Sequence, residues 1–236
     1  MTSPPPITPW PIPDASAPAI IFGGSFDPPT RAHVSVAADA RDATDPAAWL
    51  VFIPAARSPH KDAGPNASNA DRLDMLDAAI ASLPRAVTWT DELDRATAGQ
   101  PSYMAQTLER AHAVAPSTRL RLLIGADQAI AFHRWHEPRR IIELAEPIVL
   151  MREPAETEAE LHKALRAAAF WSDDELASWR ERISAVDVID ASATEARGLL
   201  ASNTAIADTN ESTSRLREVL DDRVLGIILE RGLYQP

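Results

Sequence analysis

Short apolar runs alternate with helically spaced apolar residues along this chain. The runs predict strands at Ala19–Phe22, Leu50–Ile53, Ala86–Trp89, Leu120–Ile124, Ile148–Met151 and Val186–Ile189. The helical spacing predicts helices over Asp71–Leu83, Tyr103–Val114 and Thr157–Phe170. Continuous apolar strands that alternate with helices are typical of a mostly parallel sheet covered on both faces. The predicted fold class is therefore α/β, a Rossmann-like doubly wound sheet.

The last stretch, "DDRVLGIILERGLY", predicts a final helix. Asp221 or Asp222 would cap its start, Val224 and the two isoleucines after it would face the core, and Gly232 would end it. Nothing in this stretch indicates a chemical role.

The first 18 residues are rich in proline and have neither a positive charge nor an apolar segment of a secretory signal. We predict a disordered tail over residues 1–18 and a single domain over residues 19–236. Membrane-spanning helices need about 20 apolar residues in succession, and no run approaches this length.

Composition narrows the classes of partner. The net charge is -11 and the pI about 5.0, which argues against binding to a nucleic-acid backbone. The absence of cysteine excludes disulfides and thiolate metal sites, and is compatible with the cytoplasm. The sequence leaves the oligomeric state open, with a homodimer as one option. The chain has two lysines, Lys61 and Lys163, which makes the position of Lys61 in a loop notable.

The ends of the predicted strands are where a ligand should bind. In an open parallel sheet, ligands occupy the crevice beyond the carboxyl ends of the strands, where the strand order reverses. The segments at those ends are Gly23–His33, Pro54–Lys61, Gly125–Asp127, Met151–Arg152 and Asp190–Arg197.

The turn after the first strand has the features of a phosphate site. Gly23 and Gly24 allow close backbone approach to a ligand. Thr30 is suited to cap a helix that begins near Arg31, and a helix N-terminus favours phosphate. His33 falls in the first turn of this helix.

This segment resembles the first signature of the nucleotidyltransferase superfamily, G-x-F-D-P-x-H/T-x-G-H, with Ala32 in place of the last glycine. A later segment, "ASATEAR", resembles the second signature, I-S-S-T-x-I-R. It keeps Ser192, Thr194 and Arg197 of that pattern. The fold implied is the doubly wound sheet of the nucleotidyltransferases.

Three further stretches are similar to the bacterial nicotinate-nucleotide adenylyltransferase family. These stretches are "PAARSPHK", "PSYMAQTLE" and the segment that begins "LLIGADQ" and includes Trp135. The resemblance implies transfer of the adenylyl group of ATP to nicotinate mononucleotide, giving deamido-NAD and pyrophosphate in NAD biosynthesis. It implies Mg²⁺ held by the substrates rather than by a protein metal site.

The resemblance also implies roles for particular residues. The catalytic group would comprise His33, Thr30, Lys61 and Arg197. Contacts to ATP would come from Gly23, Gly24, Ser25, Phe26, Gly125, Asp127, Ser192 and Thr194. Contacts to the pyridine nucleotide would come from Trp135, Tyr103, Thr107 and His60. Without the resemblance, a tryptophan such as Trp135 is more often a packing residue than a ligand contact, and Asp127 could simply cap a helix.

Two alternatives stay open from the sequence. The chain could be another adenylyltransferase or cytidylyltransferase of the same fold. It could also be a nucleotide-binding module that has lost catalysis, since Ala32, Ala191 and Ala193 depart from the signatures. A membrane or nucleic-acid partner is not expected in either case.

Overall fold

A parallel sheet forms the centre of the molecule. The computed structural model describes residues 7–56, 65–96, 102–186, 193–202 and 210–235. Within these ranges five strands pair in parallel in the order β3-β2-β1-β4-β5. They are β1 (Ala19–Gly24), β2 (Trp49–Pro54), β3 (Ala86–Thr88), β4 (Leu120–Gly125) and β5 (Glu146–Leu150). The strand order reverses between β1 and β4, which opens a crevice at their carboxyl ends.

Helices cover both faces of this sheet. They are α1 (Arg31–Thr44), α2 (Asn69–Ile80), α3 (Asp91–Asp94), α4 (Met104–Val114), α5 (Ala126–Ala131), α6 (Pro138–Leu144), α7 (Glu158–Ala167), α8 (Asp173–Glu181), α9 (Ala193–Ser202), α10 (Asn210–Val219) and α11 (Asp222–Arg231). A 3₁₀ turn at Phe132–Arg134 follows α5.

Successive side chains along each strand point to opposite faces of the sheet, so the core has two layers. In β1, Ile20 packs with residues of α1 and α2, whereas Ile21 packs on the other face with residues of α4 to α8. A third apolar cluster joins α2 to α9, α10 and α11. The predicted doubly wound α/β fold is confirmed.

Most predicted elements occur within a few residues of their expected bounds. The final helix is capped by Asp221, and Gly232 ends it with a φ of 61°, where glycine avoids the strain of a side chain. The predicted sixth strand is not observed at Val186, and residues 187–189 lie outside the described residues. Just before them, Ile183 forms an isolated parallel bridge with Val149 of β5.

The predicted disordered tail is wrong for residues 7–18. Ile12 is buried in the core, and the Trp10 ring meets the Trp89 ring edge-on at 5.1 Å. Three hydrogen bonds join Thr8 to the segment that includes β3 and α3. Apolar side chains between the prolines account for this packing. We call residues 7–18 the N-terminal strap; residues 1–6 lie outside the described part.

No helix in the described ranges is long and apolar enough to cross a membrane.

Candidate active site

A large cleft opens at the carboxyl ends of β1, β4 and β5. Its volume is about 1080 Å³, and both glycines of the first turn line it. Its wall also includes Ser25, His33, Gly125, Asp127, Tyr103 and Trp135. The structure therefore brings together eight of the residues predicted for the site, from four separate segments of the chain.

His33 is held by a reciprocal cap at the start of α1. The His33 backbone N–H donates to Thr30 Oγ1 at 3.3 Å, and the Thr30 backbone N–H donates to His33 Nδ1 at 3.0 Å. Because Nδ1 is the acceptor, the proton of the neutral ring lies on Nε2. His33 lines the cleft, so its ring is oriented as a hydrogen-bond donor at a helix N-terminus.

Thr30 and Phe26 are buried residues that contact His33. Both are buried, with 1% exposure, and neither lines the cleft, so their contact with the nucleotide stays a prediction from the sequence. The Phe26 ring meets the His33 ring at 5.5 Å and packs on two further phenylalanines. Phe26 has a φ of 46°, an unusual backbone conformation for a bulky residue. The side chains of Thr30 and Phe26 therefore hold in place the turn that carries His33.

Arg72 is a buried cation behind the first turn that the sequence reading missed. It is fully buried, and its Nη1 donates to the carbonyl of Ser25 at 2.6 Å. Burial lowers the pKa of its guanidinium, although the charge of Asp27 opposes this effect. Met75, Leu76 and Arg72 share the buried face of α2, so a cation at an apolar-face position was the available signal.

Asp27 joins three parts of the chain to the first turn. Its carboxylate accepts hydrogen bonds from the backbone N–H groups of Asn66 and Ala67, at 2.7 and 3.0 Å, and from the Tyr234 hydroxyl at 2.8 Å. Burial raises the pKa of Tyr234, and the Asp27 carboxylate raises it further, which keeps the phenol a donor. Arg197 Nη1 donates to the Asp27 carbonyl at 2.6 Å.

The second signature lies next to the first. Arg197 and Thr194 belong to α9 and hydrogen-bond to each other at 3.1 Å, and Ala193 at the start of this helix lines the cleft. Neither Arg197 nor Thr194 itself lines the cleft. Lys61, His60 and Ser192 lie outside the described residues, so their roles stay predictions from the sequence.

Asp127 is paired with Arg152, which lies in one of the predicted strand-end segments but received no specific role from the sequence. Arg152 Nη2 and Nε donate to Asp127 Oδ1 at 2.7 and 3.0 Å, and Gln128 donates to Oδ2 at 3.0 Å. A carboxylate accepts about four hydrogen bonds, so the pair leaves capacity for a ligand hydroxyl. Gly125 explains the close approach, because a Cβ there would lie 2.5 Å from Arg152 Nε and Asp127 Oδ1.

Aromatic rings form the opposite end of the cleft. Trp135 lines the cleft and stacks on Phe132, with the ring centroids 4.7 Å apart. Phe132 is in turn backed by Trp171 and Trp179, from the segment between β5 and α9 that the sequence reading left without a role. Tyr103 and His136 form a second ring pair, 4.6 Å apart, in the same wall.

Thr107 does not line the cleft, and its contact with the pyridine nucleotide stays a prediction from the sequence. Its side chain is fully buried, donates to Glu92 Oε1 at 2.6 Å and accepts from Arg95 Nη2 at 2.7 Å. Glu92 does line the cleft, beside Ser102. Burial raises the pKa of Glu92, against the lowering effect of the hydrogen bond from Thr107 and the charge of Arg95.

The start of α4 lies in the wall of the cleft. Ser102, Tyr103 and Met104 line the cleft, and the N-cap residue Tyr103 makes no side-chain capping bond to the helix. Backbone N–H groups at such a start favour carboxylate or phosphate. Among the described residues, no three His, Asp or Glu side chains come together as metal ligands.

A doubly wound parallel sheet, with a histidine at a helix N-terminus beside the reversal of strand order, defines a nucleotide-binding α/β protein of the nucleotidyltransferase type. The family described as cytidylyltransferase-like matches residues 21–218. A relative from Chromobacterium violaceum, named "Probable nicotinate-nucleotide adenylyltransferase", is 33% identical over 223 residues, covering 91% of this chain and 97% of the relative. The chain belongs to the cytidylyltransferase-like family and, within it, to the nicotinate-nucleotide adenylyltransferases.

Two other comparisons agree with this placement. A relative of the same name from Stenotrophomonas maltophilia is 37% identical over 165 residues, covering 67% of this chain and 72% of the relative. The structure of Plasmodium falciparum nicotinic acid mononucleotide adenylyltransferase complexed with NaAD matches with a TM-score of 0.64 and 16% identity. That match covers 92% of this chain and 97% of the other, and it shows the fold alone.

Proposed function

We propose that this protein transfers the adenylyl group of ATP to nicotinate mononucleotide. The observation that carries the proposal is the cap that presents His33 Nε2–H at the N-terminus of α1 within a cleft of about 1080 Å³. Such a cleft is large enough for two nucleotides. Full-length similarity to proteins of this name supports the choice of substrates.

The reaction needs no protein nucleophile. A phosphate oxygen of the mononucleotide forms a bond to the α-phosphorus of ATP, while the bond from that phosphorus to the bridging oxygen breaks and pyrophosphate leaves with the electron pair. The protein therefore acts by positioning and by stabilising charge. His33 donates to the α-phosphate as negative charge grows there, and the first turn of α1 adds its backbone N–H groups.

The remaining residues divide between the two substrates. Asp127 accepts hydrogen bonds from ribose hydroxyls of ATP, and Arg197, Thr194 and Ser192 hold the leaving pyrophosphate. Lys61 neutralises phosphate between the substrates. Triphosphate oxygens and water, rather than protein side chains, would hold Mg²⁺, which would offset the negative charge of the triphosphate.

The aromatic end of the cleft would take the pyridine ring. Trp135 offers a ring surface for stacking, and the backbone N–H groups at the start of α4 suit a carboxylate on the pyridine. Nicotinate carries that carboxylate and nicotinamide does not, so this end would favour nicotinate mononucleotide. His60 would also contact this substrate.

Pyrophosphate release tests the proposal. We expect release from ATP and Mg²⁺ with nicotinate mononucleotide, less with nicotinamide mononucleotide, and little when CTP replaces ATP. His33→Ala should lower kcat about 10²- to 10³-fold, because a donor to the developing charge is lost. His112→Ala is the matched control, since His112 lies in the last turn of α4 and bonds the carbonyl of Leu144.

Other outcomes would identify the alternatives. Release with CTP but not with ATP would indicate another transferase of this fold. ATP binding without any release would indicate a module that has lost catalysis, and would make Ala32→Gly the first reversion to make.

A further inference from the structure

The first residues of the N-terminal strap are hydrogen-bonded to a short helix, α3, and to the residue that precedes it by two positions, Trp89. The Thr8 backbone N–H donates to Asp91 Oδ1 at 3.0 Å, and the Thr8 hydroxyl donates to Asp94 at 2.6 Å. Trp89, just before α3, donates its indole N–H to the Thr8 carbonyl at 3.2 Å. The Trp10 ring packs edge-on against the same indole. Two strap residues thus contact residues on both sides of the start of α3.

α3 depends on such contacts for its position. It has four residues, and an isolated helix of that length is not stable in water. Asp91 is fully buried and also accepts hydrogen bonds from Arg110 of α4, at 2.6 and 2.8 Å. Burial alone would raise the pKa of Asp91, but the bonds from Arg110 and from the Thr8 N–H lower it below its usual value. The carboxylate is therefore a charged acceptor between the strap and α4.

The next residue along α3 reaches the cleft. Glu92 lines the cleft beside Ser102 and accepts the hydrogen bond from Thr107, which lies in the first turns of α4. Asp91 and Glu92 thus connect the strap on one side with the cleft wall on the other. This wall includes Tyr103 and the start of α4, the end of the cleft that we assign to the pyridine ring.

We propose that the N-terminal strap is part of the mononucleotide half of the active site, where Thr8 and Trp10 are positioning residues that fix Glu92 and the start of α4 against the cleft. The inference rests on the proposed function, because that function assigns this half of the cleft to nicotinate mononucleotide. ATP is assigned to the half built from α1 and Asp127, which the strap contacts described above do not reach.

Steady-state kinetics of full-length Trp10→Ala test the proposal. We expect KM for nicotinate mononucleotide to rise about 5- to 10-fold, with KM for ATP unchanged within about twofold, because only one half of the cleft loses its support. Trp10→Phe keeps an aromatic edge against Trp89 and should restore the wild-type KM. Thr8→Val, which removes the bond to Asp94, should change KM in the same direction by a smaller factor.

Thr118→Val is the matched control for loss of stability. The Thr118 hydroxyl donates to the carbonyl of Ala15. This bond holds the far end of the strap near the start of β4, at the amino ends of the strands and away from the cleft. This variant should lower Tm without changing either KM. Equal rises of both KM values in Trp10→Ala, or no rise in either, would overturn the proposal.

Hydrogen exchange separates this proposal from the proposed function. If the wild-type protein released no pyrophosphate, the assigned reaction would be wrong, but the link from strap to cleft would still be tested. Amides of α3 and of residues 104–107 should exchange faster in Trp10→Ala than in Thr118→Val. The same exchange in both variants would refute the link.

Discussion

At the scale of single residues, His33 shows how a helix cap determines the chemistry of a side chain. Its Nδ1 accepts the Thr30 backbone N–H, so the cap selects the tautomer with the proton on Nε2, in a side chain that lines the cleft. The sequence predicted a cap at Thr30 and a histidine in the first turn. It did not predict that the two residues cap each other, because a histidine at that helix position is not a usual capping partner.

Gly125 is the residue whose substitution should act most directly on the ATP half of the cleft. A Cβ at this position would lie 2.5 Å from side-chain atoms of Arg152 and Asp127. Since these are side-chain atoms rather than backbone, Gly125→Ala should fold but displace the pair. We expect KM for ATP to rise about 3- to 10-fold, the equivalent of one hydrogen bond, in steady-state kinetics.

Gly198→Ala is the control for this substitution. Apart from its chain neighbours and the backbone of its own helix, no atom of the described residues lies within 4 Å of a Cβ built at Gly198, which lies inside α9. This variant should gain about 0.5–1 kcal/mol of stability, since alanine favours helix over glycine, and should keep the wild-type KM. An unchanged KM in Gly125→Ala as well would remove Asp127 from the ATP site.

At the scale of elements, the residues just after α11 have a part in the site that the sequence did not indicate. The pattern correctly predicted the cap, the apolar face and the final glycine of α11. The contact of Tyr234 with Asp27 joins residues 207 positions apart, and no local pattern encodes such a contact. The two hydrogen bonds from Asn66 and Ala67 converge on the same carboxylate.

Tyr234→Phe should therefore affect the first turn from a distance. The variant keeps the ring but removes one hydrogen bond to a buried carboxylate, which should cost about 1–2 kcal/mol in the free energy of unfolding by denaturant. Arg231→Gln, at the end of α11, breaks exposed ion pairs with Asp71 and Asp74. This variant should lower the free energy of unfolding by less than about 1 kcal/mol. Equal losses of unfolding free energy in Tyr234→Phe and Arg231→Gln would show that the hydrogen bond to Asp27 contributes little to stability.

Other differences between sequence and structure have similar causes. The central strands were predictable because their continuous apolar runs are buried on both faces. The strap was not, because its proline content is typical of disorder, whereas Ile7, Trp10 and Ile12 between the prolines pack on the core. Glu92 was missed, and Arg152 was placed at a strand end without a role, because each is held in the cleft by a partner distant in sequence.

At the scale of the whole molecule, ion pairs between helices make stability depend on pH. Glu175 of α8 accepts hydrogen bonds from Arg139 of α6 at 2.7 and 3.2 Å, and from the Ser172 N–H at 2.8 Å. The bond from Arg139 is the largest effect on Glu175 and lowers its pKa from 4.5 to about 2. Arg139 also lies over the Phe170 ring at 4.4 Å, so the pair ties α6 to the α7–α8 segment.

The pKa of Glu175 is depressed in the folded state. The pair of Glu175 with Arg139 therefore stabilises the fold fully above the ordinary pKa of 4.5, and this stabilisation is lost as pH falls towards 2. Glu175→Gln should lower the free energy of unfolding by about 1 kcal/mol at pH 7, a value reduced by the exposure of Arg139. The difference from wild type should shrink between pH 4.5 and pH 2, in denaturant titrations at several pH values. Glu143→Gln, which breaks an exposed pair with Arg140, is the control. If the difference in unfolding free energy between Glu175→Gln and wild type did not change with pH, this account would be contradicted.

The stack of Trp135 on Phe132 has a consequence for optical measurements. All six tryptophans lie in the described part of the chain, and of these Trp135 is the one that lines the cleft. Trp171 and Trp179 lie behind Phe132, where they report on the packing of α7 and α8 rather than on the contents of the cleft. The intrinsic emission of the protein therefore has one component that a ring bound in the cleft would quench and a larger background that it would leave unchanged.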